Sequence, residues 1–159
     1  MRIGTYNVEW FNTLFNDAGH LINDDTWSSR WNITKTQQSQ ALGAVFQAMD
    51  LDAVMIVEAP DTSRHRDGVK ALESFAQVYK LRARSAIIGF DNDTQQEIAF
   101  LYDPDMMSAK HDPIGDPVGK KGSRDAPRFD GAFRLDLDTD AAPDVVTWSK
   151  PPLEIAVTL

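Results

Sequence analysis

Leu51-Asp52-Ala53-Val54-Met55-Ile56-Val57-Glu58 is the stretch on which the fold turns. Ala53 to Val57 is apolar on both alternations, so a strand there would show neither face to water and belongs in the interior of a sheet. The run follows at once on Leu42, Val45, Phe46 and Met49, whose offsets of three and four predict an amphipathic helix from Thr36 to near Asp50. After it, Pro60-Asp61-Thr62-Ser63 supplies turn and N-cap chemistry, and Val69, Leu72, Ala76 and Tyr79 predict a second helix. Helix, interior strand and helix in close succession predict an α/β fold.

Upstream, Arg2 to Val8 carries β-forming residues and predicts the first strand. Asn12 to Asn32, rich in Asn, Asp, Ser and Gly, reads as a long excursion from its end. Downstream, Leu81 to Ile88 predicts a half-exposed strand, Asp91-Asn92-Asp93 a turn, Glu97 to Tyr102 a short strand and Asp103-Pro104-Asp105 another turn. Pro and Gly among charged residues make His111 to Pro127 a loop. Phe133, Leu135 and Leu137 alternate with Arg134, Asp136 and Asp138, predicting a strand with one wet face. The last apolar segment, Pro152 to Leu159, reaches the C-terminus with no capping turn, so the chain reads as a domain cut short.

A chain of 159 residues with 42% hydrophobic residues has the size of one domain and is too apolar to be disordered. Without cysteine, disulfides, thiolate metal sites and cysteine nucleophiles are all excluded. No signal-peptide pattern follows Met1, and the longest unbroken apolar run, Ala53 to Val57, falls far short of the roughly 20 residues needed to cross a bilayer. A cytoplasmic location is the expectation. The net charge of −8 disfavours electrostatic coating of a phosphate backbone by the chain alone, and a bound divalent cation would reverse that locally.

Two strand ends carry residues that could serve chemistry. Asn7 closes the first strand and reads either as a turn former or as an oxygen ligand. Glu58 follows a buried apolar run directly, where a carboxylate costs several kcal/mol unless solvated or paired; water at a strand end, or a Mg²⁺ or Mn²⁺ partner, would each remove that cost. Trp27, Arg30 and Trp31 lie on the excursion from the Asn7 strand end, where the rings either stack on a base or sugar or anchor the loop to the body. Other patterns fail. Asp136, Asp138 and Asp140 begin a Ca²⁺ loop, but Ala141 and Thr147 stand where its Gly and bidentate Glu belong. Gly115 to Lys121 is one residue short of a phosphate loop, and His65-Arg66-Asp67 is sequence leading into a helix rather than a kinase catalytic loop.

Ile3-Gly4-Thr5-Tyr6-Asn7-Val8-Glu9-Trp10-Phe11, then Asp52 to Glu58, then Glu97-Ile98-Ala99-Phe100-Leu101-Tyr102-Asp103-Pro104, then Lys150-Pro151-Pro152-Leu153-Glu154 resemble, in order and spacing, the endonuclease/exonuclease/phosphatase superfamily with the deoxyribonuclease I fold. The resemblance runs from near Met1 to Leu159. It implies the first half of a four-layer α/β sandwich, a mixed sheet with helices on the outer face, and a chain that is the N-terminal half of a single domain. It implies a divalent-metal-dependent phosphodiester hydrolase using Mg²⁺ or Mn²⁺, with a phosphodiester such as DNA as substrate. Glu58 matches the residue that binds the metal, and Asn7 the one that positions the scissile phosphate and attacking water beside it. Arg128, in Gly122 to Phe129, matches a region where relatives place an Arg near substrate phosphate.

This chain also departs from the family pattern. Val57 stands where the family carries Gln, Ala59-Pro60 follows where a β-branched residue is common, and no His-x-Lys-Ser, Asp-x-Asn or Ser-Asp-His sequence is present. None of His20, His65 or His111 sits in a matching context, and residues 1–159 alone are expected to be inactive and aggregation-prone. An endonuclease is the first functional expectation. A phosphatase or phosphodiesterase acting on a small molecule or lipid headgroup, favoured by the acidic balance, is the second; a non-catalytic binding relative, suggested by Val57, is the third.

Overall fold

A computed structural model describes residues 1–30, 32–89, 97–113, 134–135, 144–145 and 152–159. The fold is mixed α/β, built on a four-stranded mixed sheet with two helices. Strand β1 (Ile3–Asn7) runs parallel to β2 (Ala53–Ala59), and helix α1 (Lys35–Met49) lies between them in sequence. Helix α2 (Gly68–Val78) leads to β3 (Ser85–Ile88), which pairs antiparallel with β4 (Glu97–Tyr102). Strand β4 pairs antiparallel with β2, so the sheet order is β1-β2-β4-β3. As the apolar run predicted, β2 is interior. Strand β5 (Ser108–His111) pairs with β8 (Ile155–Thr158), and β6 (Arg134–Leu135) with β7 (Asp144–Val145), both antiparallel.

The period of two along each strand divides the core. Val54 and Ile56 of β2 stand opposite Leu101 and Ala99 of β4, and all four join one buried cluster with Phe46 of α1 and Leu72 and Phe75 of α2. Both helices therefore serve the same sheet face. Rings reinforce the contact: Phe75 meets Phe46 at 5.3 Å and Phe11 at 5.1 Å, edge to face. On the opposite face, Ala53 and Phe100 gather with Met107 and with Ala109, Leu153 and Ile155 from the β5 and β8 region.

The local departures have local causes. Helix α1 begins in a capping box, where Thr34 accepts from the Gln37 amide and Gln37 reaches back to the Thr34 amide, and Asp50 ends it in a left-handed cap. The cap of α2 is Asp67, which accepts from the Lys70 amide, rather than a residue of Pro60 to Ser63, which forms no turn; the chain bends at Arg64 and His65. Strand β3 starts only at Ser85, since Arg82 and Arg84 turn to aspartates at the sheet end instead of continuing the alternation. The excursion after β1 is not all surface loop: Phe11–Leu14 forms a 3₁₀ turn, and Phe11, Leu14 and Phe15 are core residues. Strand β5 was not expected, because Lys110 and His111 gave no apolar alternation; its pairing with β8 makes it a strand. The predicted strand at Phe133 to Leu137 is described only at Arg134–Leu135, and most of the loop from His111 to Pro127 lies outside the described residues. Among the described residues no helix is long and apolar enough to cross a membrane.

Candidate metal site at two strand ends

Because β1 and β2 are parallel, their C-terminal ends open on the same sheet edge. Register pairs Asn7 with Val57, and the Val8 amide donates to the Val57 carbonyl at 2.9 Å, so Glu58 follows beside Asn7. Strict alternation would send Glu58 to the same face as Val54 and Ile56, among the helices. A bulge prevents this. Register against β4 runs Val57 to Ile98 and then Ala59 to Glu97, leaving Glu58 as the extra residue at φ +62°. The side chain is re-aimed from the apolar core to a half-buried position, where Oε1 accepts from Asn7 Nδ2 at 3.4 Å.

That contact uses one oxygen of Glu58 and none of Asn7. Glu58 Oε2 and Asn7 Oδ1 remain as hard oxygen donors at a solvent-open edge. The donor set suits Mg²⁺ or Mn²⁺, which keep several waters and need only one or two protein carboxylates. Among the described residues no group of three or more His, Asp or Glu could enclose a metal, so any ion here would be held by few protein atoms.

The surroundings are polar and aromatic. Glu9 is ion-paired to Arg30, and an open groove of about 390 Å³ runs past Tyr6, Asn7, Glu9 and Arg30 to Gln38 and Leu42 of α1. Trp10, three residues past Asn7, is left-handed at φ +59° and 51% exposed as a residue; Thr13 holds its backbone by donating to the Trp10 carbonyl at 2.8 Å. Trp27 is 68% exposed, while its backbone forms an antiparallel bridge with Thr34 at the start of α1 and so ties the excursion to the body. Trp31 and Arg128 lie outside the described residues. His20 and His65 are exposed on loops, and His111 closes β5, its pKa lowered by burial against the opposing pull of Glu154 and Asp112.

The structure thus brings together Asn7 and Glu58. Two neighbours escaped the sequence reading. Glu97 is buried opposite the bulge, and only the register shift, which has no sequence mark, puts it there. Arg66 sits in a triplet that resolved as helix-leading sequence, yet its guanidinium reaches four acceptors across two loops. An Arg just ahead of an N-cap Asp, in a loop with a second Asp, was the available signal. No family model, curated protein or solved structure matches this chain.

Proposed function

We propose that this chain carries the metal-holding part of a divalent-metal-dependent phosphodiester hydrolase, with a deoxyribonuclease I-like sandwich as its fold and an endonuclease-like activity. The observation that carries the reading is the re-aimed carboxylate: a bulge at the end of an interior strand turns Glu58 out of the core and toward Asn7. A strained non-glycine residue at a strand end is where functional constraint commonly shows.

When bound, Mg²⁺ or Mn²⁺ would neutralise phosphate charge and lower the pKa of water. Glu58 would hold the cation through its carboxylate. Asn7 would orient a phosphate oxygen or the nucleophilic water by its amide, favouring attack in line with the leaving alcohol. Trp10, half-exposed three residues past Asn7, would offer a ring on which a base could stack, because an aromatic ring stacks on any base without needing its identity. The net charge of −8 favours the second reading, turnover of a small phosphoester, over long contact with duplex DNA.

The test on this chain is Mn²⁺ binding, followed by the paramagnetic resonance signal of the free ion. Wild type is expected to bind at one site, and Glu58→Gln to weaken binding at least about tenfold while keeping the thermal melt. Mn²⁺ affinity unchanged by Glu58→Gln would remove the site. For any longer chain that shows turnover, salt-sensitive cleavage of DNA supports the nuclease reading, and salt-insensitive hydrolysis of a small phosphodiester supports the second.

A further inference from the structure

After Glu58 the backbone stays buried through Ala59, Pro60 and Asp61. Asp61 there meets Arg66: Nη1 donates to Asp61 Oδ1 at 2.6 Å, with the two side chains only 9% and 14% exposed. The same guanidinium reaches a segment some 50 residues earlier in the chain. Its Nη1 donates to the Asn12 carbonyl at 3.0 Å, Nη2 to Phe15 at 2.9 Å and Nε to Asn16 at 3.3 Å. These carbonyls close the 3₁₀ turn into which the chain passes after Asn7 and Val8. Asn12 already accepts from the Phe15 amide at 3.3 Å and Asn16 from the Gly19 amide at 3.0 Å, so the guanidinium adds a second donor to each, and its planar five-donor fork reaches all three carbonyls at fixed angles while pairing a carboxylate.

One side chain therefore ties the segment leaving β1 to the segment leaving β2. The Asn7 to Glu58 hydrogen bond is long and exposed, so it cannot fix the pair by itself. A glutamate at φ +62° persists only where its surroundings over-determine it. We infer that Arg66 is the positioning residue of the Asn7 and Glu58 pair, holding Glu58 in its bulge through Asp61 and holding the Asn7 strand end through the three carbonyls. The consequence for metal affinity rests on the metal reading proposed above; the structural tie does not.

The experiment compares wild type, Arg66→Lys and Asp61→Asn by amide hydrogen exchange and by Mn²⁺ binding. Lysine keeps the charge but, as a point donor, cannot serve Asp61 and three carbonyls together. In Arg66→Lys, residues 12–16 and 58–61 are expected to exchange faster together, by about tenfold or more, while α2 and β4 keep wild-type protection. Mn²⁺ affinity is expected to fall about 10- to 100-fold, the range found when support around a metal ligand is lost. Faster exchange confined to residues 12–16, or Mn²⁺ affinity equal to wild type, would reduce Arg66 to a cap on the 3₁₀ turn and overturn the inference. If Arg66→Lys fails to fold, Asp61→Asn decides by the same two readouts, with residues 58–61 loosening first. If wild type takes no Mn²⁺, the metal reading falls and the exchange pattern alone decides the role of Arg66.

Discussion

Glu58 sits at φ +62°, a conformation in which an L-residue's Cβ crowds the following carbonyl at roughly 1–2 kcal/mol. Glycine pays no such penalty, so the residue present is not the one backbone stability would choose. The measurement that isolates this is Glu58→Gly against Glu58→Ala, since both lose the carboxylate and differ in the Cβ. The glycine variant is expected to be the more stable by about 1 kcal/mol in urea unfolding; equal midpoints would show that the bulge is relaxed and carries no strain. Asn7 and Glu58 stood out in the sequence because each ends a strand in a polar group. Their geometry did not, since a bulge depends on how β2 meets β4, and Val57-Glu58-Ala59 holds no glycine to announce a left-handed residue. For Arg66 only the nearby Asp61 left a mark in the sequence; its partners Asn12, Phe15 and Asn16 are set by the fold.

At the scale of elements, the contact between α1 and α2 turns on Gly43. A Cβ added there would fall within the Tyr79 ring. The ring cannot swing aside freely: its hydroxyl meets Ser39 Oγ at 2.6 Å, Gln47 Nε2 donates to the Tyr79 carbonyl at 2.8 Å, and the Phe75 ring packs against it, tilted, at a centroid distance of 4.8 Å. Overpacking costs about 1–3 kcal/mol, against about 1 kcal/mol gained from helix propensity. Gly43→Ala is therefore expected to destabilise the wild-type protein, and to stabilise a Tyr79→Ala background where the obstruction is gone. A destabilisation of the same size in both backgrounds would place the cause elsewhere than the ring. Both helices were legible from periodicity and β2 from its apolar run, while β1 and β4 were legible as short stretches of strand-forming residues; the pattern did not fix burial everywhere, since Val45 of α1 and Ile3 of β1 remain exposed. The first half of the predicted third strand failed because Arg82 and Arg84 satisfied charges instead of an alternation, and β5 escaped because its pairing with β8 supplies what its sequence lacks.

Across the whole molecule, the two ends of the central sheet do different work. The end that carries Asn7 and Glu58 opens to water, with Asn7 exposed and Glu58 half-buried. At the other end, residues just outside all four strands form one ion network: Arg2 before β1, Asp50 and Asp52 before β2, Arg82 and Arg84 before β3, and Asp103 and Asp105 after β4. Arg82 bonds Asp50 and Asp52 and lies 3.8 Å from Asp103, while Arg84 joins Asp103 at 3.4 Å and Asp105 at 2.8 Å. The hydrogen bond from Arg82 lowers the pKa of Asp50 below its ordinary 3.8. For Asp52 the backbone amide of Arg2 acts first and Arg82 second, in the same direction. Folded chains therefore bind fewer protons at these groups than unfolded ones, and stability depends on pH with a definite sign. The contribution is complete above the ordinary value of 3.8 and is lost as pH falls through the lower folded values. Urea midpoints at pH 6, 4 and 3 should fall most steeply over the last interval in wild type. Asp52→Asn should begin lower at pH 6, because Arg82 and the N-terminal amine, 3.9 Å from Asp52, lose a partner, and should then fall less. Parallel curves for the two proteins would mean that acid unfolds the chain through other carboxylates, and that this end of the sheet is held by its backbone pairing rather than by its charges.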